Sequence, residues 1–136
     1  MNADAPPIAA EMTREELDSL TRQIIGAAFR VSSTLGQGFL EKVYENSLVH
    51  ELRKAGLHVE QQCAVQVRYD GQIVGDYITD ILVERTVILE IKAAGGFDRV
   101  HFSQCANYLR ATGLRICLLL NFGLSRLELK RIVRNF

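Results

Sequence analysis

Leu17, Leu20, Ile24, Ala27, Ala28 and Val31 recur at steps of three and four, which makes one apolar stripe down a helix. Thr13-Arg14-Glu15-Glu16 ahead of the stripe is a capping-box pattern, so the helix is expected to begin there. Leu35-Gly36-Gln37-Gly38 ends it. A second helix is predicted from about Leu40 to Ala55, with Leu40, Val43, Ser47, Leu48 and Leu52 facing inward and Gly56 at its C-terminal end. The period then changes. Val59, Cys63, Val65, Val67 and Tyr69 occupy odd positions, the alternation of a half-buried strand. Asp70-Gly71 is a hairpin signal, and a second strand is predicted from about Ile73 to Val83. A short turn at Glu84-Arg85 leads into a third strand over Thr86–Lys92. Gly95-Gly96 breaks the chain, Asp98 can cap a helix, and that helix is expected to last until Thr112-Gly113. Ile116–Asn121 is a continuous apolar run, the mark of a strand covered on both faces, and after Gly123 the run Leu127–Val133 alternates as a final strand. The predicted order is ααβββαββ, an α/β (α+β) chain with a mixed β-sheet flanked by helices.

Composition narrows the classes. The 136 residues fit one domain, expected over 13–136, behind a disordered lead-in over 1–12 that contains Pro6-Pro7. No apolar run approaches the roughly 18 residues of a membrane span, and the first residues lack the charged and apolar regions of a secretory signal. A cytoplasmic protein without membrane contact is expected. Cys63, Cys105 and Cys117 are odd in number, far apart and set in apolar patterns, so they read as free thiols rather than a disulfide framework or zinc site. Sixteen basic and sixteen acidic side chains cancel, which argues against binding nucleic acid through bulk charge alone. The distribution is uneven, however. Residues 109–136 carry Arg110, Arg115, Arg126, Lys130, Arg131 and Arg134 against Glu128 alone.

Polar residues inside apolar strands are the informative anomaly. Asp80 lies in YITDILV and Glu90 in VILEIKA, where a lone carboxylate would face a large desolvation cost. Glu90 and Lys92 are two apart and share a strand face, and the turn at Glu84-Arg85 brings positions near 80 opposite positions near 90. Two carboxylates and an amine on one patch of sheet suit a hard divalent cation such as Mg2+ or Mn2+, with the lysine beside a water or a phosphate. A cross-strand Glu–Lys pair on a solvated edge is the plainer alternative. Glu41 and Tyr44 are i,i+3 neighbours on the second helix; Gln104 and Tyr108 are i,i+4 neighbours on the third, with His101 one turn earlier. On spacing alone these also fit a solvated helix face or tyrosines at the margin of a core.

Gly38-Phe39-Leu40-Glu41-Lys42-Val43-Tyr44 resembles the signature of the GxxExxY protein family. The resemblance continues in Leu52–Leu57, Asp76–Val83, Glu90–Ala93, Gln104–Gly113 and Leu118–Gly123, over roughly residues 15–134. That family is similar to the PD-(D/E)XK nuclease superfamily, which implies a restriction-endonuclease-like core. The resemblance implies Asp80 and Glu90-Ile91-Lys92 as the metal-and-lysine signature and Glu41 as the helix carboxylate completing the metal shell. Gln104 and Tyr108 match the Q-x-x-x-Y helix that contacts substrate in the recombination-exonuclease branch. Thr79 stands where the superfamily places a proline before the metal aspartate.

The leading expectation is a Mg2+- or Mn2+-dependent nuclease acting on DNA. Asp80, Glu90, the Ile91 carbonyl and Glu41 would ligate the metal; Lys92 would position the attacking water; Gln104, Tyr108, Tyr44 and His101 would contact substrate. Arg110, Arg115, Lys130, Arg131 and Arg134 would hold phosphates, unless some only solubilise the surface. A small nuclease that cuts a duplex would gain from pairing as a homodimer. Two other readings stay open on the residues alone: a catalytically inactive nuclease-fold module that binds nucleic acid or a protein partner, and a purely structural homo-oligomer.

Overall fold

Thr13 does begin the first helix: its Oγ1 accepts the Glu16 N–H at 3.1 Å. The computed structural model describes residues 12–135, so all of the expected lead-in except Met12 lies outside the described residues. The elements are α1 (Arg14–Leu35), α2 (Glu41–Lys54), β1 (Val59–Tyr69), β2 (Gln72–Val83), β3 (Val87–Lys92), α3 (Arg99–Thr112), β4 (Ile116–Asn121) and β5 (Glu128–Val133), in the predicted order. Every residue of the α1 stripe is buried. Each large aliphatic side chain there contributes about 2 kcal/mol by leaving water.

The inward face of α2 differs from the expectation. Leu40 is 81% exposed and Val43 is 37% exposed, while Tyr44, Glu45, Leu48, Val49 and Leu52 are buried. Leu40 is the N-cap, in extended conformation at φ −67°, ψ 151°, so it lies outside the helical period that the sequence pattern included it in. The helix axis then turns residues 44, 48 and 52 to the sheet and leaves position 43 at the rim.

The five strands form one mixed sheet in the order β1-β2-β3-β4-β5. All neighbours are antiparallel except β3 and β4, which run parallel and are connected through α3. Alternation sorts the core into two layers. Leu89, Ile91, Leu118 and Leu120 meet α1 and α2, whereas Ile88, Cys117 and Leu119 meet Cys105, Tyr108 and Leu109 of α3. Being covered on both faces, β4 is buried throughout.

The β1–β2 hairpin outruns the rest of the sheet. Its strands pair from Val59↔Val83 to Tyr69↔Gln72, but β3 has six residues and pairs with β2 only through Ile81–Val83. Tyr69, expected on a half-buried face, is therefore 76% exposed, and Ile73, Val74 and Ile78 are also exposed. Their alternation is that of a strand, yet no layer reaches far enough to cover them. Cys63, Cys105 and Cys117 are free, as expected. Among the described residues, no helix is long and apolar enough to cross a membrane.

Candidate active site

Beyond the Ile81↔Leu89 pair the backbone ladder between β2 and β3 stops, and side chains take its place. Ile91 N–H donates to Asp80 Oδ2 at 2.7 Å, and Asp80 N–H donates to Glu90 Oε1 at 3.2 Å. Each carboxylate thus replaces a lost ladder bond of the opposite strand and stays fixed in position. Glu90 is 3% exposed. Burial, and then the neighbouring Asp80, push its carboxyl up to about 9. Asp80 is also raised, first by burial; the Ile91 N–H and the Lys92 charge oppose that shift, while Glu45 adds to it. Lys92 alternates with Glu90 on the side of the sheet that carries Ile88 and α3, half-buried at the end of β3. Its charge acts on Glu41, Asp80 and Glu90, although it forms no salt bridge among the described residues.

Glu41 is the first residue of α2, at the helix end whose dipole favours a negative charge. Partial desolvation raises its carboxyl, opposed by Lys92 and the Ala93 backbone. Tyr44 sets where that helix starts. It is fully buried, its hydroxyl donates to the Gly36 carbonyl at 2.6 Å, and it accepts the Phe39 N–H at 3.2 Å. Its ring stacks on Phe122 at 4.9 Å. The two ends of the phenol are occupied within the protein, so the Glu41/Tyr44 spacing is a carboxylate followed by the clamp that aims it.

Glu45 and Gln62 join the site without having been singled out from the sequence. Glu45, 3% exposed, accepts from Lys42 Nζ at 3.1 Å, Gln61 Nε2 at 2.6 Å and Gln62 Nε2 at 3.0 Å, and its charge faces Asp80. Gln62 holds φ +56° inside β1, a left-handed conformation that costs a non-glycine residue about 1 kcal/mol or more. Its amide lies between two carboxylates, bonded to Glu45 and against Asp80. The available signal was Glu45 following Glu41 by one helical turn.

Among the described residues, no three His, Cys, Asp or Glu side chains come close enough to hold an ion by themselves. The expected shell of Asp80, Glu90, Ile91 and Glu41 is therefore only partly drawn together. Asp80 and Glu90 are in contact through each other's backbones, the Ile91 peptide is bonded to Asp80, and Glu41 lies within electrostatic reach. This donor set fits a hard divalent cation. Mg2+ takes one or two carboxylates and keeps several waters, and the two adjacent acids stay raised by burial despite the Lys92 charge, which leaves room for the further positive charge of an ion.

From α3, Tyr108 is buried; its hydroxyl reaches the Ile78 carbonyl at 3.5 Å and its ring meets Tyr77 edge-on. Burial, then Glu90 and Asp80, raise its phenol. Gln104 is half-buried one turn before it, and its amide forms no hydrogen bond among the described residues. His101 is engaged at the helix start, where Nδ1 accepts the Asp98 N–H at 3.0 Å. Behind Lys92, the fully buried Asn121 exchanges two 3.0 Å hydrogen bonds with the backbone of Ala94. Gly123 packs directly on Ala93 and Ala94, where a Cβ would collide with backbone atoms.

Comparison with protein families matches residues 18–132 to the PD-(D/E)XK nuclease superfamily. Comparisons with curated proteins and with solved structures give no match.

Proposed function

The chain belongs to the PD-(D/E)XK nuclease superfamily, and from that premise we propose that it is a metal-dependent nuclease hydrolysing DNA phosphodiester bonds, of the GxxExxY type. The observation that carries this reading is the reciprocal bonding of Asp80 and Glu90 across β2 and β3, with Lys92 on the same face. Asp80 and Glu90 would hold Mg2+ or Mn2+, with the Ile91 carbonyl and Glu41 as further ligands. Such an ion, when bound, supplies Lewis acidity toward the phosphate and lowers the pKa of water. The side chains do the rest. Lys92 orients the attacking water and offsets negative charge developing on the phosphate. Burial raises the carboxyls of Glu41, Asp80 and Glu90, so the cluster holds a proton in place of a cation until the ion binds. Gln104 offers its amide to the substrate, and Tyr108 walls the cleft beside Glu90.

The test is cleavage of labelled single- and double-stranded DNA in Mg2+, in Mn2+ and in chelator. Wild type is expected to cut only with a cation, and Lys92→Ala and Asp80→Ala to lose about 100-fold or more while remaining folded. Equal cleavage by wild type and both variants would overturn the reading. Binding of DNA with no cleavage in either metal would do so too, and would favour the inactive nuclease-fold module.

A further inference from the structure

We propose that the groove between α3 and β5 binds the phosphodiester backbone of a nucleic-acid strand away from the scissile position, with Arg110 and Arg134 in the groove and Lys130, further along β5, as its phosphate contacts. This rests on the nuclease reading and adds to it that the substrate is a strand several nucleotides long.

The basic C-terminal end divides into two groups in the fold. Arg115 Nη2 donates to the Met12 carbonyl at 2.5 Å, and Arg131 pairs with Asp18 of α1 at 3.1 Å, so both are used in packing the first helix. Arg126 lines a separate cavity beside Phe29, Ser32 and Ser33 of α1, and only Arg110, Lys130 and Arg134 remain for the other face. Along β5, Leu129 packs on the α1/α2 core and Ile132 on the α3 core. Alternation therefore puts Lys130 and Arg134 on the side of Ile132, the same layer that holds Glu90 and Lys92. Arg110 approaches from α3 as an exposed side chain, its Nη2 donating to Asn107 Oδ1 at 2.6 Å. Between these elements runs an open groove of about 440 Å³, lined by Ser103, Ala106, Asn107, Arg110, Val133 and Arg134. Among the described residues, no acidic side chain lines it.

The register gives the groove its direction. Lys92 pairs with Asn121, and Asn121 with Glu128, so β5 begins level with the active site; it ends at Val133 opposite Ile116. From Glu128 to Arg134 the strand covers about 20 Å, or about six phosphates at the stacked spacing of one strand. A strand whose scissile bond lies at Lys92 can thus run on past Lys130 to the arginine pair. Cations with serine and asparagine donors suit phosphate oxygens, while Ala106 offers an apolar patch to sugars.

The test measures binding in chelator, without cleavage, to end-labelled oligothymidylates of about 4, 12 and 24 nucleotides. The proteins are wild type and an Arg110→Ala/Lys130→Ala/Arg134→Ala variant whose fold is checked by circular dichroism. The variant is expected to bind the shortest oligomer as wild type does and the longest about tenfold or more weaker. Its salt slope should be shallower by about 2, from three lost phosphate contacts. Unchanged affinity at every length overturns the proposal, as does an equal loss at every length. So does equal competition by a polyglutamate of matching length. Should the triple variant fail to fold, Arg134→Gln and Lys130→Gln singly are expected to show smaller losses confined to the longer oligomers. Length-dependent binding with no cleavage would overturn the nuclease reading and keep the groove; cleavage with length-independent binding would overturn the groove alone.

Discussion

Asp80 and Glu90 hold each other's strands: the carboxylate of Asp80 accepts the N–H of Ile91, and the carboxylate of Glu90 accepts the N–H of Asp80. Two acids that should repel are fixed side by side because each satisfies a backbone donor that the shortened ladder leaves open. The repulsion is relieved by a proton on Glu90, whose carboxyl is pushed up to about 9, or by a cation.

Glu90→Gln separates those two solutions. Without metal the amide copies the protonated acid and can still accept the Asp80 N–H, so stability is expected to stay within about 0.5 kcal/mol of wild type. Saturating Mn2+ should stabilise wild type by about 2.7 kcal/mol at 100 times its Kd and leave the variant unmoved. Thermal melts with and without Mn2+ check this, and a variant stabilised as strongly as wild type contradicts it.

Stability of the metal-free protein is expected to fall as pH rises from about 4.5 toward 9. In that window the unfolded chain has released the Glu90 proton and the folded chain still holds it, so each pH unit costs up to about 1.4 kcal/mol. Asp80 and Glu41, both raised, act in the same direction. Mg2+ should flatten the slope, because it binds the ionised carboxylates. Urea titrations at several pH values give the answer; a metal-free protein that gains stability across this range would refute the assignment.

Gln62→Glu places a further carboxylate against Glu45 and Asp80 in the position of a neutral amide donor. The melting temperature is expected to drop more at pH 8 than at pH 5, because the Asp80 carboxyl is raised by burial and lower pH weakens the repulsion. A pH-independent drop would mean that the left-handed backbone alone matters at this position.

Tyr44→Phe keeps the stack on Phe122 and removes the hydroxyl that joins Gly36 to Phe39. Two backbone groups lose their partner, so a loss of about 1 kcal/mol is expected in denaturant unfolding. Cleavage should fall as well, since the loop delivers Glu41 to the site.

Gly123→Ala drives a Cβ into the backbone of Ala93 and Ala94, next to Lys92. The expected cost is about 3 kcal/mol, at the upper end for overpacking, with slower cleavage by whatever folds. A fully stable variant would show that the two segments separate readily.

The sequence by itself determined the order of elements and the pairing of Asp80 with Glu90. Both are local matters: caps and glycines mark the ends, and the three-residue turn Glu84-Arg85-Thr86, its first two residues at positive φ, sets the register a few residues away. It also placed Glu41 and Lys92 near that pair. Only the tertiary structure decided which face of α2 is buried, because offset stripes satisfy the same helical period and the neighbouring layer selects between them. The same holds for Tyr44, whose hydroxyl is taken up by nearby backbone, for His101, whose Nδ1 is, and for Glu45, Gln62 and Asn121, which join the site where α2 meets β1 and where the loop after β3 meets β4. Those meetings link positions far apart in the chain. Periodicity reports what a residue's own element needs, and it holds no information about which distant donor will arrive beside it.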